Sequence, residues 1–174
     1  MEMCAPEIVY CSYGFIQALD VYLDTYIPQD LSTYWSAAWD ASSPGGRDAV
    51  CAFGLWGSEE GFSWTKASCG LELSSMDISQ NGLEISYGVP QQIIQSDGCD
   101  TVTVTVNDIV ISEKAYSEGM IDTLVFSPED LPDAADGIYR INISCSGTFN
   151  PKELGRSEDS RDLGIQMMYA GGAR

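Results

Sequence analysis

The chain has 174 residues, of which 44% are hydrophobic and 20% are charged, as in ordinary globular proteins, so we expect a single folded domain with a short extension. Eight basic against 26 acidic residues give a formal net charge of -18. This charge argues against binding to nucleic acid or anionic lipid, which needs clustered Lys and Arg. The chain has no histidine, which excludes Ser-His-Asp and Cys-His catalysis and imidazole metal ligands.

Residues 1–45 differ in pattern from the rest of the chain. The run GFIQALDVYLDTYI, residues 14–27, has apolar residues at helical spacing, and Pro28 follows it directly. The stretch before this run, MCAPEIVYCSYGF, could instead form a strand. A cluster of turn-forming residues, 42–46, comes next. We therefore expect a short, partly helical N-terminal arm at 1–45 and a separate main domain at 46–174.

The main domain shows the pattern of β-strands throughout. AVCAFGLWG and FSWTKASCGLEL flank the acidic turn SEEG, and GLEISYGVP follows the turn Asn81-Gly82. In DTVTVTVND, Val102, Val104 and Val106 alternate with threonines and share one face. Four more such stretches follow: IVISEKAY, IDTLVFSP, GIYRINISCSGTF and LGIQMMY. About eight strands with turns every 8 to 12 residues predict an all-β fold, an antiparallel β-sandwich that is jelly-roll-like.

The cysteines and the amino terminus bear on location. The six cysteines contain no Cys-x-x-Cys pair, which argues against a zinc ribbon or a thioredoxin-type motif. The start MEMCAPEIVY lacks the basic residues and apolar run of a signal peptide. We therefore expect a cytoplasmic protein with reduced thiols, although the even cysteine count leaves disulfides open. No apolar run approaches the roughly 20 residues that span a bilayer, so we expect no membrane insertion.

One candidate site lies in FGLWGSEEGFSWT, where Trp56 and Trp64 flank the acidic turn Glu59-Glu60. An exposed indole stacks on the apolar face of a sugar ring, and neighbouring carboxylates accept hydrogen bonds from its hydroxyls. The alternative is that both rings fill the interior of the sandwich. Adjacent acids on one turn do not give the opposed geometry of glycosidases, so we expect no catalysis from this pair.

A second candidate lies in NPKELGRSEDSRDLGIQMMY, residues 150–169, which holds three of the eight basic residues. Asp159 can accept hydrogen bonds from turn amides, and Arg161 offers a planar fork for carboxylates or carbonyls. One interpretation is structural, an Arg–acid pair that fixes the loop leading into the last strand. The other is a ligand loop in which Asp159 and Arg161 contact sugar hydroxyls or a phosphate.

These stretches carry a resemblance. GLWGSEEGFSWTKASCGLEL, TVTVTVNDIVI and GTFNPKELGRSEDSRDLGIQMMY resemble a β-sandwich accessory domain of bacterial surface-polysaccharide biosynthesis, often joined to glycosyltransferases. The match includes Phe149-Asn150-Pro151 and the run from Asp159 to Gly164. The chain has no nucleotide-sugar Asp-x-Asp motif in a suitable setting. The resemblance therefore implies a non-catalytic, jelly-roll-like domain that binds carbohydrate or contacts a glycosyltransferase or another glycan-building enzyme.

Three further hypotheses follow from the residues. The chain could instead be a protein interaction module that docks through its aromatic arm, including Tyr34, Trp35 and Trp39. A hydrolase would need two carboxylates facing one cleft. Asp97 and Asp100 could bind a structural calcium ion, although their spacing matches no defined calcium loop, and we expect no other cofactor or metal. The sugar and the oligomeric state are left open.

Overall fold

A computed structural model describes residues 36–42, 51–95 and 100–174, without the side chains of Cys51 and Ser58. The helix predicted at residues 14–27 and the domain boundary at residue 46 lie outside these ranges. The described strands are β1 Ala38–Asp40, β2 Cys51–Glu59, β3 Phe62–Ser74, β4 Leu83–Val89, β5 Thr101–Val106, β6 Ile109–Ala115, β7 Met120–Phe126, β8 Ile138–Cys145 and β9 Gln166–Gly172.

The described helices are short: α1 Ser75–Asn81, α2 Gln91–Gln95 and a 3-10 turn, Pro128–Asp130. Helix α1 is capped at its N-terminus by Ser74, whose hydroxyl accepts a hydrogen bond from the Met76 amide at 3.3 Å. It ends at Gly82, which has φ +87° and donates to the Ile78 carbonyl. None of the described helices is long and apolar enough to cross a bilayer.

All pairs among the described strands are antiparallel, and the sheet divides at β3. This 13-residue strand pairs with β2 along one edge, between Phe62 and Glu72. Along the other edge, residues 68–74 pair with β8, and Ser63 and Trp64 pair with β9. One branch therefore continues as β8-β5-β6 and the other as β9-β4-β7, with β1 added to β9. The two branches form the layers of a curled antiparallel β-sandwich, which confirms the predicted all-β fold.

The core lies between the two branches and draws on both. Val102, Val104 and Val106 are at most 1% exposed, as the alternation of β5 predicts. Ile85 and Tyr87 of β4 are fully buried in the same apolar cluster. Cys69 is a free thiol in this cluster, in which Cys145 is also buried, and burial raises the pKa of Cys69 to about 12.

A polar network joins β6 and β7, which are the two ends of the strand order. The Lys114 ammonium of β6 lies 2.6 Å from the Asp122 carboxylate of β7. Tyr116 donates its hydroxyl hydrogen to the same carboxylate, and its oxygen lies 2.6 Å from the hydroxyl of buried Tyr87. The network thus ties one branch of the curled sheet to the other.

Strand β1 comes from the predicted N-terminal arm and belongs to the sheet. Trp39 pairs with Ala170 of β9 and is only 2% exposed. The prediction that Trp39 offers a docking surface is therefore wrong, since its ring packs in the core. Tyr34 and Trp35 lie outside the described residues, so docking through those two rings stays a prediction.

Candidate functional site

The hairpin of β2 and β3 positions the first part of the candidate site. Glu59 pairs with Phe62 across the turn, and Leu55 pairs with Thr65. Gly61 in this turn has φ +80°, a conformation that glycine adopts without strain. Thr65 is buried, so side chains on the opposite face of the hairpin point away from the core.

A loop at residues 150–164, the C-terminal loop, supplies the second part. Its two ends are joined because Phe149 and Leu163 exchange backbone hydrogen bonds of 2.9 and 2.8 Å. Within it, the Lys152 amide donates to the Asp159 carbonyl at 2.9 Å, and the Asn150 side chain donates to the Ser160 carbonyl at 2.9 Å. These bonds satisfy backbone groups that a strand or helix would otherwise pair, so the C-terminal loop has a defined shape.

Arg161 connects the C-terminal loop to the hairpin. Its Nε lies 3.0 Å from Oδ1 and its terminal nitrogen 2.7 Å from Oδ2 of Asp159, which makes a two-pronged ion pair. The same terminal nitrogen lies 3.1 Å from Glu59 Oε1. Hydrogen bonds from the Arg161 side chain hold the pKa of Asp159 below its usual value. Both acids therefore serve to hold the guanidinium, as the structural interpretation of this loop predicts.

Trp56 lies beside this ion cluster and is half-buried. Its indole Nε1 donates to the Asp162 carbonyl at 3.1 Å, and the Arg161 guanidinium carbon lies 5.9 Å from the ring centroid. The Lys66 ammonium lies 5.0 Å from the same centroid. The ring is thus fixed at its edge and approached by two cations, an arrangement in which each cation is attracted to the π-system.

Trp64 occupies a different environment. Its ring makes edge contacts with Phe62 at 5.5 Å and Phe149 at 5.6 Å between centroids, and it packs against the core cluster. Such T-shaped contacts stabilise an aromatic cluster. Trp64 therefore supports the base of the C-terminal loop, and like Trp56 it is half-buried and packs against the core cluster.

The structure brings together four of the six predicted site residues, and it adds one that the sequence analysis missed. We call this group the Trp56 surface; it comprises Trp56, Glu59, Lys66, Asp159 and Arg161. Lys66 follows Trp64 by two positions in β3, so strand alternation places both side chains on one face. This alternation was the sequence signal from which Lys66 could have been included in the site.

The sixth predicted residue, Glu60, behaves differently from its neighbour Glu59. It is exposed in the turn and makes no hydrogen bond or ion pair with any residue that the structure describes. It therefore lies at the margin of the Trp56 surface, without a partner there.

The hydrolase and calcium hypotheses find little support in this geometry. Glu59 and Asp159 both pair with Arg161, and a general acid needs a raised pKa, whereas that of Asp159 is lowered. Asp100 Oδ1 accepts hydrogen bonds from the hydroxyls of Thr101 at 3.1 Å and Ser146 at 3.2 Å, and Asp97 lies outside the described residues. Calcium binding stays a prediction.

No protein-family model matches the sequence, and no curated protein matches it. Among solved structures, a family GH115 4-O-methyl-α-glucuronidase, BtGH115A, with specificity for decorated arabinogalactans, is similar over 77% of this chain, at 13% identity and a TM-score of 0.40. This chain spans 17% of the length of that enzyme.

Two carbohydrate-binding modules are also similar. A family 35 module from Clostridium thermocellum matches 76% of this chain and 93% of its own, at 9% identity and a TM-score of 0.36. The CBM51 from Clostridium perfringens GH95, in complex with methyl-galactose, matches 82% of this chain and 97% of its own, at 9% identity and a TM-score of 0.34. These TM-scores are too low to support a conclusion about what this chain binds.

Proposed function

We propose that this chain is a non-catalytic carbohydrate-binding domain and that the Trp56 surface, with Glu60 and Trp64 at its margin, is the binding site. The observation that carries the proposal is a half-buried indole beside a fixed arginine–carboxylate cluster at the molecular surface. An indole offers an apolar face to a pyranose ring, while the carboxylates and the guanidinium exchange hydrogen bonds with hydroxyl groups.

The fixed geometry of Arg161 supports this proposal. Three hydrogen bonds to Asp159 and one to Glu59 hold the guanidinium before any ligand arrives. Groups that are already in place lose less conformational entropy on binding, so preorganisation raises affinity. The C-terminal loop would thus act both as the structural clasp of the last strand and as one wall of the site.

The affinity of variants for oligosaccharides tests the proposal. A glycan array identifies a sugar, and calorimetry measures its affinity for the wild type, Trp56→Ala and Arg161→Ala. We expect Trp56→Ala to cost about 2 kcal/mol or more of binding free energy, as central aromatic contacts do. Arg156→Ala is the matched control, because Arg156 is exposed in the same loop and makes no ion pair with the described residues.

Unchanged affinity in both Trp56→Ala and Arg161→Ala, with folding confirmed by circular dichroism, would show that the sugar binds elsewhere. Absence of binding to every glycan on the array would contradict the proposed function itself.

We further propose that the domain works in surface-glycan biosynthesis, in the bacterial cytoplasm beside a glycosyltransferase or another glycan-building enzyme. The support is the sequence resemblance of FNP, residues 149–151, and DSRDLG, residues 159–164, to accessory domains of such proteins. Calorimetry with repeat-unit oligosaccharides of bacterial surface polysaccharides and with plant cell-wall oligosaccharides tests this link. Tighter binding of the plant set would contradict it.

A further inference from the structure

Lys66 stands out among the basic residues because of what surrounds its ammonium group. Of the seven that the structure describes, five have a carboxylate within ion-pair distance: Lys114, Arg140, Lys152, Arg161 and Arg174. Lys66 has none among the described residues and is exposed. Its ammonium instead lies over the Trp56 ring, 5.0 Å from the centroid. The ring face of Trp56 therefore already accommodates a primary ammonium.

The surroundings of this ring also favour a positive charge. Glu59 and Asp159 hold Arg161 beside the ring, so once the Lys66 ammonium has moved away two carboxylates accompany one guanidinium. The whole chain carries a formal net charge of -18. A field of this sign attracts cationic ligands and repels anionic ones, and the attraction weakens as salt is added.

Lys66 and Arg161 are held in place to different degrees. Arg161 is fixed by the carboxylates of Asp159 and Glu59, whereas the Lys66 ammonium is held only by the ring among the described contacts. A cation–π contact made by an exposed lysine is weak. A ligand cation can therefore take the place of the Lys66 ammonium without breaking an ion pair.

We infer that the sugar bound at the Trp56 surface carries a protonated amine, as a glucosamine unit does, and that this amine replaces the Lys66 ammonium over the indole. The inference rests on the proposed function and names its ligand class. The ring and Glu59 bind the ligand's positive charge, and the fixed Arg161 hydrogen-bonds to its hydroxyls. An N-acetylated or neutral sugar lacks the charge and competes poorly with Lys66.

Calorimetry with glucosamine tetramer, N-acetylglucosamine tetramer and cellotetraose tests the inference on the full chain. We expect glucosamine tetramer to bind most tightly, and its affinity to fall with added salt and with loss of the amine proton at higher pH. Lys66→Gln removes the internal competitor, so its affinity for glucosamine tetramer should rise about two- to fivefold, the amount expected for one exposed cation–π contact.

Lys152→Gln is the matched control. It removes the same charge from an exposed lysine that pairs with Glu158 in the C-terminal loop. If the affinity for glucosamine tetramer rises in Lys66→Gln but not in Lys152→Gln, the result supports displacement of the Lys66 ammonium from the Trp56 ring. Equal rises in both variants would show that the effect comes from net charge, and they would overturn that step.

Two results overturn the inference while the proposed function stands: equal or tighter binding of N-acetylglucosamine tetramer or cellotetraose, and weaker glucosamine binding in Lys66→Gln. If none of these sugars nor any other glycan binds, the proposed function fails and the inference fails with it.

Discussion

Trp56 donates its indole N–H to the carbonyl oxygen of Asp162, 106 positions later in the chain, at 3.1 Å. This bond joins β2 to the C-terminal loop at the point where the loop enters the last strand. The same indole therefore has two roles: it presents a ring at the surface, and it holds the C-terminal loop in place. The two tasks can be separated by substitution.

Trp56→Phe keeps an aromatic ring and removes the N–H donor. We expect it to lower the free energy of unfolding by about 0.5–1.5 kcal/mol, the net value of one hydrogen bond, plus a smaller packing term. Urea denaturation measures this change. Trp56→Phe should bind sugar more weakly than wild type but more tightly than Trp56→Ala. A Phe variant as weak as the Ala variant would show that the hydrogen bond, and not the ring, matters for binding.

Arg161→Gln should loosen the C-terminal loop without unfolding the domain. The substitution removes the ion pairs to Asp159 and Glu59, while the backbone bonds between Phe149 and Leu163 stay in place. Hydrogen exchange followed by mass spectrometry should therefore show faster exchange in residues 150–164 and little change in β5. Arg156→Gln, which removes an exposed arginine from the same loop, should leave exchange as in wild type. Equal effects of the two substitutions would contradict the clasp.

Asp122→Asn should destabilise the protein at neutral pH by about 1 kcal/mol, the order of a charge-assisted hydrogen bond at a partly exposed site. Burial raises the pKa of Asp122, but hydrogen bonds from Lys114 and Tyr116 outweigh it and hold the pKa below its usual value. A lowered pKa in the folded state supplies stability above the unfolded value of about 4, and this is lost as the pH falls through the folded value.

The stability gap between wild type and Asp122→Asn should therefore shrink as the pH drops below about 4. Urea denaturation at neutral and acidic pH measures it. A gap that stays constant over this range would show that the Asp122 charge contributes nothing.

Gly54→Ala should be among the most damaging substitutions in β2. Gly54 has φ +71° at a register irregularity between β2 and β3, and an added Cβ would overlap the carbonyl oxygen of Ser68. We expect a loss of about 2–4 kcal/mol in unfolding free energy from backbone strain and overlap.

Two matched glycines separate these causes. Gly57 has open space and no positive φ, so Gly57→Ala should change stability by less than about 0.5 kcal/mol. Gly61 has φ +80° with open space, and its alanine variant should lose about 1 kcal/mol from strain alone. Thermal and urea unfolding of the three variants rank them, and a Gly57→Ala variant as unstable as Gly54→Ala would contradict this account.

Much of the fold could be predicted from the sequence because strand alternation has a period of two. The valines of β5 behave as their pattern predicts, whereas Asn81, which was predicted to lie in a turn, is the last residue of helix α1 and Gly82 caps that helix. Strand β1 has only three residues, which is too short for any period to show. Helix α1 carries a serine cap and a terminal glycine, but its seven residues give barely two turns of helical spacing.

The candidate site was predicted less completely, because pattern does not say which distant segments meet. The residue types around Trp56 and Arg161 were recognisable, and the contact between Glu59 and Arg161 joins positions 102 apart. Trp64 and Trp56 have similar neighbours in the sequence, yet Phe149 packs against the Trp64 ring, whereas the Lys66 ammonium lies over the Trp56 ring. Only tertiary packing distinguishes them.

The position of β9 constrains the order of assembly during synthesis. This strand bonds to β1, β3 and β4, so the branch that ends in β7 joins the rest of the sheet through residues made near the end of the described chain. A nascent polypeptide that stops before residue 166 leaves the β4–β7 strand pair with an exposed, unpaired edge, a form prone to aggregation. Ribosomal stalling or premature termination upstream of β9 should therefore yield aggregation-prone fragments rather than a smaller stable domain.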